Sequence, residues 1–111
     1  MSISEALKNI GMPAGPPPYR GNAMRYVTWQ LIGQVGTLYA EGAEAETGVS
    51  YSVDVYAETR AGCVTAMLTV KAALAAAGWL VTVETEYWEK DIDRYHIVLT
   101  AQTVGAEYGD H

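Results

Sequence analysis

The hydrophobic period of this chain changes abruptly between Ala57 and Cys63, and that change limits what it can fold into. From Val49 to Ala57 the odd-numbered positions Val49, Tyr51, Val53, Val55 and Ala57 are apolar, while Ser50, Ser52 and Asp54 between them are polar. An extended segment with that alternation buries one face and wets the other. After Glu58, Thr59 and Arg60 the pattern switches. Cys63, Val64, Met67, Leu68, Lys71, Leu74 and Ala75 then recur at intervals of three and four until Gly78, which predicts an amphipathic helix from about Arg60 to Ala77 with a glycine cap. A half-buried strand feeding an amphipathic helix implies two layers packed face to face.

Further elements follow by the same reading. Ser2 to Ile10 predicts a short helix, with Ser2 or Ser4 as N-cap, Glu5 near the favourable end and Gly11 as the stop. Pro13, Pro16, Pro17 and Pro18 fall in the segment from Gly11 to Asn22; they fix φ and remove donors, so it reads as a stiff, extended connector. Met24 to Gln34 predicts a strand with apolar groups on both faces. Trp79 to Trp88 and Asp93 to Thr103 predict two more strands, joined by a turn at Glu89 to Asp91, with Tyr95, Ile97, Leu99 and Ala101 on one face. Between the first two strands, Gly36 to Gly48 is small and acidic and reads as a long hairpin loop. From about Val104 the chain reads as a loose acidic tail. The expected order is α-β-β-α-β-β. Residues 1–111 then make a single α+β domain, a two-layer sandwich whose mainly antiparallel sheet carries its helices on one face.

Charge narrows the function classes. Thirteen acidic residues against seven basic ones leave a net charge of -6, and the bases are scattered, so sequence-specific or backbone-wrapping nucleic-acid binding is not expected. Charged residues are 18% of the chain against 50% hydrophobic, a surface poor enough in charge to suggest subunit contacts. Cys63 is the one cysteine, which leaves no internal disulfide. No window approaches the roughly 18 apolar residues of a membrane span, and the N-terminus lacks a signal-peptide pattern. Cytosolic synthesis is therefore expected.

Few residues suggest chemistry. Glu84, Glu86, Asp91, Asp93 and His96 gather around the last hairpin, where two carboxylates two apart and a histidine opposite could serve acid/base work or a weak metal site. Alternating carboxylates are equally what the wet face of any strand shows, and neither catalytic nor metal-binding residues are expected here. Cys63 falls on the apolar side of the helix and reads as a small buried hydrophobe rather than a nucleophile. The glycines match neither a phosphate loop nor a dinucleotide fingerprint, so no cofactor is expected. Eight of the eleven aromatics, Tyr26, Trp29, Tyr51, Tyr56, Trp79, Tyr87, Trp88 and Tyr95, read as core or interface residues in a chain without phenylalanine.

Three segments carry a resemblance. Arg25 to Trp29 after a proline-rich connector, Tyr39 to Gly42 leading into Tyr51 to Ala57, and a helix ending Ala77-Gly78 before Trp79 resemble the small tail-completion and tail-terminator proteins of long-tailed bacteriophages and prophages. The likeness spans about Pro18 to Leu99. It implies a non-enzymatic virion protein, made in the bacterial cytoplasm, that forms a ring of commonly six copies at the head-proximal end of the tail. The implied partners are further copies of itself, the tail tube protein and the head-tail connector protein. DNA would pass through the ring without specific binding. On this reading Glu41, Glu44 and Glu46 line the lumen or touch the neighbouring ring. Two alternatives stand beside it: another morphogenesis ring, such as a head-closure or tube subunit, and a small ligand-binding or enzymatic domain using Glu84, Glu86 and His96.

Overall fold

The computed structural model describes residues 1–36 and 47–103. Its elements are α1 (Ile3–Leu7), β1 (Ala14–Gly15), β2 (Tyr26–Gly36), β3 (Thr47–Ala57), α2 (Arg60–Ala76), β4 (Leu80–Glu89) and β5 (Arg94–Gln102). The expected α+β architecture is present, with one addition. Two residues of the proline-rich connector, Ala14 and Gly15, pair in parallel with Val27 and Thr28 and add a short edge strand. Prolines at 13 and 16 bracket this pair and stop the ladder from extending.

The five strands lie in the order β1-β2-β3-β5-β4. β2 and β3 form an antiparallel hairpin from Tyr26↔Tyr56 to Gly36↔Thr47, and β5 pairs antiparallel with both β3 and β4. It follows that β3 and β4 run in the same direction. The helix between them is a crossover, and β5 returns through the gap it leaves.

The alternation of β3 is realised as expected, with Val53, Val55 and Ala57 fully buried against the helical layer. Ile97, Leu99 and Ala101 of β5 and Val27 of β2 share that face. From α2 the buried stripe is Cys63, Ala66, Val70 and Leu74, while Leu68, expected on the apolar side, is exposed. The stripe is rotated because the closely packed positions take the smaller residues Cys63 and Ala66. Thr59 caps α2 by accepting the Gly62 N–H at 3.0 Å, and Gly78 ends it with a positive φ of 92°. α1 is shorter than expected but carries a complete capping box, Ser2 Oγ accepting the Glu5 N–H and Glu5 Oε1 accepting the Ser2 N–H. Its Ile3 and Leu7 join the core, which supplies the packing that a five-residue helix needs.

Both helices thus occupy one side of the sheet, and the even-numbered residues of β3, of β5 and of β2 up to Gln30 face the other; a bulge between Leu31 and Gly33 reverses the parity of β2 beyond it.

Candidate functional site

The helix-free face carries a row of rings. Cross-strand register places Tyr26, Tyr56, His96 and Tyr87 side by side on β2, β3, β5 and β4. Tyr26 stacks on Tyr56 at 4.7 Å between centroids, Tyr56 on His96 at 4.2 Å, and Tyr87 tilts over His96 at 4.9 Å. Tyr19 of the connector extends the row, stacking on Tyr26 at 4.0 Å. Its hydroxyl accepts the Ala23 N–H, which closes a turn in the chain leading into β2. A shallow cleft of about 290 Å³ opens beside the row, lined by Pro17, Pro18, Tyr19, Tyr26, Thr28, Tyr56 and Ile92.

His96 sits in this row with only 4% of its surface exposed. Its Nε2 lies 2.8 Å from Asp54 Oδ2 on β3, and its Nδ1 lies 2.8 Å from Glu89 Oε1 on β4. Two ionised carboxylates can both be satisfied only if both ring nitrogens donate, which requires the imidazolium. Burial opposes that charge, but the hydrogen bonds to Asp54 and Glu89 and their negative charge outweigh it and hold the histidine pKa above 6.5. The same surroundings push the Tyr56 phenol well above its usual value, burial first and the Asp54 charge second. An imidazolium with both nitrogens engaged has no lone pair for a substrate proton or a metal. What it does is tie β3, β5 and β4 together on the face that lacks helices.

This is not the constellation read from the sequence. Glu84 is the extra residue of a β-bulge between Val83 and Thr85, so Glu84 and Glu86 do not follow the simple alternation. Glu86 stands opposite Ile97 on the helical side. There it accepts from Arg60 at 2.9 and 3.1 Å and from the Tyr95 hydroxyl at 2.7 Å. Asp91 and Asp93 are exposed in the turn between β4 and β5, and Asp93 takes a left-handed φ of 57°. The real partners of His96, Asp54 and Glu89, went unrecognised. Asp54 was legible only as a polar position in β3, and Glu89 as a turn residue. Glu41, Glu44, Glu46 and His111 lie outside the described residues.

Cys63 is buried, as expected, with Sγ 3.3 Å from the Val55 carbonyl. Burial foremost pushes its thiol pKa up to about 11, which removes it as a nucleophile at neutral pH. The aromatics divide between the layers. Trp79 is buried in the core with Trp29, Tyr51 and Tyr95 packed against it, whereas Tyr26, Tyr56 and Tyr87 belong to the helix-free face. Among the described residues, no helix is long and apolar enough to cross a membrane. Nor do they contain a group of three or more His, Cys, Asp or Glu residues placed to hold a metal ion.

No protein-family model matches the sequence, and no curated protein matches it. A solved structure does match in fold: a chain of the virion of a native gene transfer agent particle superposes with a TM-score of 0.61. The match covers 93% of this chain and 92% of that one at 16% identity.

Proposed function

We propose that this protein is a structural virion subunit. It forms a ring at the head-proximal end of a phage tail, ends the tail tube there and joins it to the head connector. The observation that carries this reading is the fold correspondence with a virion chain over nearly the full length of both. A small chain whose fold recurs over nearly its whole length in a virion chain has the shape of such a building block. The resemblance of Arg25–Trp29, Tyr39–Gly42 leading into Tyr51–Ala57, and the helix ending Ala77-Gly78 before Trp79 to tail-completion proteins supports a position at the head-tail joint.

Physical features are compatible with it. The hydrogen-bonded His96 fastens the open face of the sheet, which suits a part that must hold its shape under load rather than turn over a substrate. A net charge of -6 suits a channel through which DNA passes without adhering. Glu41, Glu44 and Glu46 are proposed to line that channel or meet the adjoining ring, with the tail tube protein and the connector protein as neighbours and six as the copy number.

Electron microscopy of particles from a host whose phage or prophage lacks this gene tests the reading. Filled heads separate from tails, with tails of irregular length, are the expected result. A total absence of tails would transfer the protein to the tube, and normally joined particles would refute a role at the joint.

A further inference from the structure

β4 forms one edge of the sheet. It is hydrogen-bonded to β5 on one side, and among the described residues no strand meets its other side. A ten-residue edge of this kind is a template for another strand, and chains that stay monomeric commonly blunt such edges with Lys or Pro. Neither occurs between Leu80 and Glu89; the bulge at Glu84 is the one interruption. Instead Leu80, Val83, Tyr87 and Trp88 stand 44–60% exposed along both faces of the strand. At the opposite edge, β1 covers β2 only at Val27 and Thr28. The rest of that side of β2 meets no strand among the described residues, and Leu31 and Ile32 there are each 54% exposed.

We infer that these two edges are the two halves of one contact between copies of this chain, β4 of one copy pairing beside the Trp29–Gly36 stretch of β2 in the next. The inference rests on the ring reading above and names its interface. Charge decides between this arrangement and a two-fold pairing of β4 with itself. β4 carries no base, and while Arg60 and His96 hold its Glu86 and Glu89, Glu84 at the bulge is the acid that self-pairing would set against its own copy. The β1–β2 edge instead presents the exposed Arg20, which lines a shallow cleft together with Ala14, Gly15, Val27 and Thr28. Self-pairing would also leave Leu31 and Ile32 in water. The two edges lie on opposite sides of the sheet, three strand spacings or roughly 14 Å apart. A contact that consumes one edge of each partner leaves the other free to repeat, and such head-to-tail contacts close into rings.

The area involved makes closure matter. The exposed parts of those six side chains come to on the order of 600 Å², taking typical side-chain areas. With main chain added this falls at or below the roughly 1,200 Å² of a stable pairwise interface. One contact alone is therefore weak, and a ring in which every subunit makes two is what persists.

Two blocked variants test this. Leu80→Lys with Val83→Lys charges the β4 edge, and Leu31→Lys with Ile32→Lys charges the β2 edge. All four positions are exposed, so the fold should survive, which circular dichroism checks. In sedimentation velocity up to about millimolar protein, the range a weak contact requires, wild type should assemble and each variant alone should remain monomeric. Their mixture should form one-to-one dimers and stop, since each variant retains the edge the other lacks. Wild type that stays monomeric throughout overturns the inference. Variants that assemble like wild type, or a mixture without dimers beside an assembling wild type, overturn it as well. None of these outcomes bears on the phenotype of the deleted gene, so the virion role stands or falls separately.

Discussion

Replacing His96 with Leu removes the cation between Asp54 and Glu89 while keeping a side chain of moderate size in the ring row. Each of the two hydrogen bonds joins charged groups at 2.8 Å, and bonds of that kind contribute about 1.5–3 kcal/mol apiece. Removing one member of a fully buried ion pair costs about 3–5 kcal/mol. Here the carboxylate side chains keep 20% and 31% of their surface in water, which partly re-solvates them, so the expected loss is about 2–3 kcal/mol. Urea unfolding at pH 6 measures it. A triple variant, His96→Leu with Asp54→Asn and Glu89→Gln, should recover at least half of the loss, because it also removes the stranded charges. The pH dependence adds a second limb. The folded pKa of His96 lies above 6.5, so its contribution is complete below about pH 6.5 and is lost as pH rises through the folded value. The advantage of wild type over His96→Leu should therefore shrink as pH rises above 6.5. A loss below about 0.5 kcal/mol at pH 6, or a gap that does not narrow at higher pH, would refute the fastening role.

Other predictions follow from the core and the surface pairs. Leu74→Ala, at a fully buried site on α2, should cost about 2.7–5 kcal/mol in the same unfolding assay. Cys63 should resist aqueous thiol reagents at pH 8 until the chain unfolds, since its thiol pKa is about 11; rapid labelling of folded protein would contradict its placement. NMR titration should find Glu58 ionising near pH 2, held there by hydrogen bonds from Arg25 at 3.0 and 3.1 Å, and Arg25→Ala should return it to the ordinary carboxylate range. Gly62→Ala should move it the same way by a smaller amount, because the added methyl would sit 2.8 Å from the Arg25 guanidinium and push it aside. Neutralising Glu41, Glu44 and Glu46 together should lower the yield of infectious particles, and an unchanged titre would remove their proposed role at the channel or the adjoining ring.

What the sequence by itself determined is whatever depends on neighbours along the chain. The alternation from Val49 to Ala57, the three-and-four spacing after Cys63, the stop at Gly78 and the serine cap of α1 each express a local rule of backbone geometry, and each element appears close to its expected place. The α+β class follows from them, because elements with one apolar side have few ways to cover it. What only the tertiary structure decided depends on register. Alternation alone sets Glu84 and Glu86 on one face with His96 across from one of them, but β4 carries a one-residue bulge, Glu86 lies beneath the helix with Arg60, and Tyr87 stands opposite His96. Asp54 and His96 are 42 residues apart in the chain, and nothing local to either announces the other. A strand's period of two tells which residues share a face, but a shift of one residue in pairing exchanges the faces, and that shift is set by packing across the whole sheet. That β4, and β2 beyond Thr28, meet no further strand among the described residues was likewise invisible, since which strand ends a sheet is a property of the order in which strands assemble and not of any strand alone.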